Sequence, residues 1–142
     1  ANDGARMQLH LVKQVTTYGF EEVVEETQPR VADQVPAGKE VFQVVREGMV
    51  AASRPGGTSA ASWLDFPYTV ASKTGTPESL DNLTSTYICY MPAEDPEIAI
   101  AVVIEDGGQG YTGAPVARKM ADQYFFGGLG AEQVTAPGTL LP

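Results

Sequence analysis

The chain has a single cysteine, Cys89, so it can form no intrachain disulfide and no zinc site built from paired thiolates. Flanked by Ile88 and Tyr90, that cysteine reads as a small core residue and not as a nucleophile. Basic residues are scarce: nine Lys and Arg stand against 18 Asp and Glu, for a formal net charge of −9. Such a balance lacks the clustered cations that phosphate backbones require, and nucleic acid is excluded as a partner. No apolar run approaches the roughly 20 residues of a membrane span. The first residues also lack the basic-then-apolar layout of a signal peptide. His10 is the only histidine and falls on the polar side of a local alternation, as a surface or structurally bonded imidazole would. The acids Glu21, Glu22, Glu25 and Glu26 do not have calcium-loop spacing, and the glycines at 107–113 lack the Gly-Lys-Ser ending of a phosphate loop. No metal or cofactor is expected.

What remains is a chain of 142 residues with an ordinary apolar fraction, enough for one domain or a large part of one. Met7, Leu9 and Leu11 alternate with polar residues and predict a strand, Tyr18-Gly19 a turn, and residues 21–27 an acidic return strand. Residues 28–38 read as a connector. Val41, Val44, Val45, Met49 and Ala52 recur at helical spacing and predict an amphipathic helix over 39–53, with Gly48 allowing a neighbouring element to approach closely. Strands are expected near 68–75, 84–91 and 97–105, the last so apolar that both its faces should be covered. Short connections between them predict an antiparallel meander. A polar loop at 78–82 joins the first two strands. Gly113-Ala114-Pro115 opens a helix that runs to about residue 126, with Val116, Ala117, Met120, Ala121 and Tyr124 on its apolar face. The fold class is therefore α+β, and residues 129–142 read as a poorly ordered tail.

The chemistry concentrates in Val70-Ala71-Ser72-Lys73-Thr74-Gly75-Thr76-Pro77. Lys73 is the only Lys or Arg between Arg54 and Arg118. Hydroxyls at Ser72, Thr74 and Thr76 surround it, Gly75 leaves the backbone open, and Pro77 ends the ladder. A cation, hydroxyl donors and bare backbone at a strand's end suit a carboxylate ligand. A Lys-Thr-Gly triplet alone fits equally well a strand carrying one solvated lysine.

The neighbours decide between these. Ala1-Asn2-Asp3-Gly4, Val44-Val45-Arg46-Glu47-Gly48-Met49, Gly57-Thr58-Ser59-Ala60, the lysine strand, Tyr87-Ile88-Cys89-Tyr90-Met91-Pro92, Asp95-Pro96-Glu97-Ile98-Ala99 and Ile104-Glu105-Asp106-Gly107-Gly108 follow one another in a telling order. In that order the chain resembles the C-terminal portion of the transpeptidase domain of class B penicillin-binding proteins, with proportions closest to the elongation type. The resemblance covers residues 1–128 and implies part of the fold shared with serine β-lactamases. Of that family's three signatures, Ser-x-x-Lys, Ser-x-Asn and Lys-Thr-Gly, only the third is present. The resemblance therefore implies a fragment, with nucleophile and second motif upstream and the N-terminal half of the same domain as partner.

By the same resemblance, Lys73 holds the catalytic hydrogen-bond network and attracts the substrate carboxylate. Thr74 and Thr76 bond that carboxylate, Gly75 leaves room for the acyl group, and the Thr76 N–H is one oxyanion donor. The substrate would be a stem peptide ending in D-alanyl-D-alanine, with β-lactams as inhibitors. The setting would be the extracytoplasmic face of a bacterial membrane, reached through an upstream anchor. A serine β-lactamase or β-lactam sensor domain shares these features, and a non-catalytic interaction module is a third reading.

Overall fold

The computed structural model describes residues 1–77 and 83–127. The loop expected at 78–82 and the tail expected from 129 lie outside the described residues. The chain divides into two compact units, Ala1–Val44 and the residues from Val45 onward.

The first unit opens on a tight turn. Asp3 and Gly4 take positive φ values of 50° and 85°, the left-handed region that Asp and Gly enter at least cost. Four short strands follow: β1 (Ala5–Met7), β2 (Gln14–Thr16), β3 (Val23–Glu26) and β4 (Val31–Gln34). β1 pairs with β4 and β2 with β3, both antiparallel. The turn expected at Tyr18-Gly19 is present, closed by Thr17 N–H donating to Glu22 O at 2.9 Å.

Two expectations fail here. The alternation at Met7, Leu9 and Leu11 does not make a strand, because Leu9 and Leu11 are fully exposed and have no sheet face to lie on. Alternation specifies a strand only where something covers its apolar side. The connector at 28–38 holds β4, since polar residues suffice for a strand exposed along its whole length.

Helix α1 (Lys39–Ser53) matches the periodicity. A β-carbon at Gly48 would meet nothing, however, so the close approach expected there does not occur. In the second unit, β5 (Ala71–Gly75), β6 (Ser85–Met91) and β7 (Ile98–Ile104) form the antiparallel meander in the order β5-β6-β7. β5 begins three residues later than the composition suggests. Tyr68 instead joins an aromatic cluster, with its ring 4.6 Å from that of Phe125 and 5.8 Å from that of Phe66.

Helix α2 (Ala114–Phe126) has proline in its first turn and ends at Gly127, whose φ of 68° gives the left-handed cap. It lays Ala114, Ala117 and Ala121 against one sheet face, where Tyr87, Cys89, Met91, Ile100 and Val102 are buried with Trp63 and Phe66. Arg118 ties α2 to the preceding segment, donating to Ser62 O at 2.9 Å, to Asp65 at 2.6 Å and to Asp122 at 2.8 Å, with its guanidinium 5.0 Å from the Phe66 ring. The Arg118 hydrogen bond holds the Asp65 carboxyl below its ordinary range.

The opposite sheet face is only partly covered. Met49 and Val50 of α1 pack on Ala71, Tyr90 and Ala93. Beyond them Ile88, Ala99, Ala101 and Val103 stay exposed. Within this chain β7 is thus covered on one side only, and its apolar second face, beside Lys73, is left exposed as its composition leads one to expect of a strand lacking a second layer.

Candidate active site

Strand order makes β5 an edge strand, laddered only to β6. Its outer backbone has no strand partner among the described residues, so an extended ligand can lie along it. Alternation sends Lys73 to the partly covered face, opposite Ile88 and next to Ala101 in the register. Its side chain is exposed, and Nζ donates to the carbonyl of Thr74. Ser72 and Thr74 point to the other face. Thr74 is half-buried, its hydroxyl 3.5 Å from that of Thr58.

Thr76 lies just past the strand, where its Oγ1 accepts the Gly110 N–H at 2.9 Å. That leaves the Thr76 hydroxyl hydrogen for another acceptor. The Gly110 carbonyl in turn accepts from the buried Ser85 hydroxyl at 3.1 Å. A β-carbon at Gly110 would lie 2.7 Å from Gly75 N and 2.8 Å from Gly75 C, so two glycine backbones press together here. A β-carbon at Gly75 would in turn meet the Thr86 hydroxyl, which would have to rotate away. The open backbone read from the sequence thus has a packing cause.

The four residues singled out in the sequence are consecutive at one sheet edge, with Lys73 exposed and Thr74, Gly75 and Thr76 half-buried. Sequence reasoning missed what holds them. Beneath the strand, Ser72 Oγ is fully buried, 2.7 Å from Ser53 Oγ and 2.9 Å from Ser59 Oγ. Ser59 Oγ donates to Ala52 O at 3.0 Å, and Trp63 Nε1 donates to Tyr87 Oη at 2.8 Å. Burial pushes the Tyr87 phenol up, while the hydrogen-bonding groups around it, Ser59, Ser72 and Trp63, pull the other way. Only the parity of Ser72 against Lys73 hinted at this network. Cys89 is buried in the core, where desolvation raises its thiol to about 12, far from a nucleophile's range.

Gly110→Ala is expected to force the end of β5 away from the loop at Gly110. Overpacking of this kind costs about 1–3 kcal/mol. A thermal melt should show the loss. An unchanged melt would mean that the Gly75–Gly110 contact does not set the strand.

An edge-strand cation beside two threonines, on an antiparallel sheet backed by a helix, places the chain among α+β proteins of the kind the resemblance implies. The family model described as "Penicillin binding protein transpeptidase domain" matches residues 1–125, and the chain belongs to that family. Penicillin-binding protein 2A of Bacillus subtilis is 32% identical over 145 residues, covering 88% of this chain and 20% of that protein. Among solved structures, the D,D-transpeptidase domain of a peptidoglycan glycosyltransferase from Eggerthella lenta superposes with a TM-score of 0.71 at 32% identity. That match covers 87% of this chain and 29% of that one. The imipenem acyl-enzyme of penicillin-binding protein A from M. tuberculosis gives a TM-score of 0.67 at 26% identity, covering 82% of this chain and 26% of that one. The chain spans about a fifth of the length of the B. subtilis relative.

Proposed function

We propose that the chain is the C-terminal part of a peptidoglycan D,D-transpeptidase of class B, elongation type, which cross-links stem peptides through a serine acyl-enzyme and is inhibited by β-lactams. The observation that carries this reading is the exposed Lys73 on an edge strand, followed by Thr74, Gly75 and Thr76. Lys73 attracts the carboxylate of the D-alanyl-D-alanine terminus, or of a β-lactam, and stabilises the catalytic hydrogen-bond network. Thr76 donates the hydroxyl hydrogen that Gly110 leaves free. Thr74, half-buried beside Thr58, is the second carboxylate partner. The Thr76 N–H serves as one oxyanion donor, and the nucleophilic serine supplies the other. Gly75 keeps the acyl group's path open.

In this reading residues 1–128 are the C-terminal part of the catalytic domain and 129–142 a tail. The N-terminal half of the domain brings the Ser-x-x-Lys helix and covers the exposed apolar face. The site works in cell-wall synthesis on the outer side of the membrane, tethered by an upstream segment.

Incubation with a fluorescent penicillin tests it. The full-length protein should take up one label per molecule on an upstream serine, and the 142-residue chain none. A covalent adduct on any residue of this chain would refute the upstream nucleophile. An unlabelled full-length protein would refute the transpeptidase reading and favour an interaction module, whereas rapid turnover of the label would favour a β-lactamase.

A further inference from the structure

The hydrogen-bond network under β5 has a fixed direction. Ser59 spends its one hydrogen on Ala52 O, so toward Ser72 it can only accept. Ser72 therefore donates to Ser59 and has lone pairs left to accept from Ser53, 2.7 Å away. Tyr87 accepts from Trp63, and Ser59 and Ser72 stand within hydrogen-bonding reach of its hydroxyl. The serine hydroxyls thus run in one direction, from Ser53 through Ser72 and Ser59 to Ala52 O, and all three are buried.

Such a network is more than a strand needs in order to fold. An apolar residue at 72 would satisfy burial, and the ladder to β6 already pairs the inner backbone. What the ladder leaves loose is the strand's tilt, because an edge strand has no second neighbour to hold it. The serines come from three separate places: the last residue of α1, the segment before the short 3₁₀ turn at Ala60–Ser62, and β5 itself. Tyr87 adds a fourth anchor from β6, directly across from Thr74. Ser72 is the sequence neighbour of Lys73 and faces the opposite way, so fixing its Oγ fixes the direction in which Lys73 leaves the sheet.

Resting on the transpeptidase reading, we propose that Ser72, held by Ser53, Ser59 and Tyr87, is a positioning residue that sets the tilt of the lysine strand for acyl transfer. The network touches no substrate and acts through Lys73 and Thr74. Misplacing a reacting group by about 1 Å can cost on the order of a hundredfold in rate. The effect belongs to the bond-forming step, because long-range attraction of a carboxylate by Lys73 tolerates such a shift.

The test uses the full-length protein and a fluorescent penicillin, with pre-acylation affinity and acylation rate measured separately. Ser72→Ala and Tyr87→Phe each remove one hydroxyl without adding volume, and Tyr87→Phe keeps the ring in the core should Ser72→Ala fail to fold. Both variants are expected to acylate about ten- to a hundredfold more slowly with less than about a threefold change in affinity. The double variant should be little slower than the worse single one, since both act through one network. Acylation within twofold of the parent in both variants would overturn the proposal. So would affinity falling as much as rate, the mark of a site merely loosened. A parent that takes up no penicillin would overturn the transpeptidase reading itself, whereas a labelled parent with unaffected variants overturns only the role of Ser72.

Discussion

Lys73→Ala in the full-length protein is expected to slow acylation by penicillin about a hundred- to a thousandfold, the usual cost of losing one preorganised charge-stabilising group. The fold should hardly notice. The Lys73 side chain is exposed on an edge strand, and its one hydrogen bond runs to the adjacent residue's carbonyl. Surface substitutions of that kind stay within about 0.5 kcal/mol. Lys73→Arg keeps the charge but exchanges a compact ammonium for a wide planar fork, so it should recover only part of the rate. The measurement is the acylation rate beside a thermal melt for each variant. A rate equal to the parent's in Lys73→Ala would return Lys73 to the role of a solvated lysine.

The contrast between Lys73 and Ser72 shows what was legible before the structure. A cation alone in a long stretch without other bases stands out in sequence, and so does a glycine after it. Ser72 looked like one more hydroxyl around the lysine, and its partners Ser53, Ser59 and Tyr87 lie 19, 13 and 15 positions away in sequence. Nothing in a one-dimensional pattern marks three serines as converging, because the convergence is made by how α1 and β6 pack. Gly110 was similarly hidden in a glycine-rich run whose reading stopped at the phosphate loop it fails to form.

In the meander and its helices, by contrast, local propensity and tertiary contact agree. α1 and α2 have their expected bounds, and the three long strands lie within a few residues of theirs. The alternation at Met7, Leu9 and Leu11 went wrong because a strand pattern is a statement about a covering partner. The described residues offer none there.

The same point in reverse gives the second large effect. Ile88 is 50% exposed and Val103 68%, on the face they share with Lys73, while Ile100 and Val102 on the other face are buried. Burying a side chain of this size fully contributes about 1.5–3 kcal/mol, a large part of the roughly 5–15 kcal/mol that holds a whole domain together. If the N-terminal half of the domain closes on this face, Val103→Glu, two strands away from Lys73, must place an unpaired carboxylate in the closed interface, at a cost of several kcal/mol. The full-length variant should melt markedly lower and lose penicillin labelling. In the 142-residue chain alone the same substitution should do the opposite. There the exposed apolar face is expected to drive self-association, and a charge on it should raise the monomer fraction in sedimentation. Opposite signs in the two settings are what a covered face requires. A full-length variant as stable and as readily labelled as the parent would mean that the face stays open to water in the intact protein, and that the upstream half docks elsewhere.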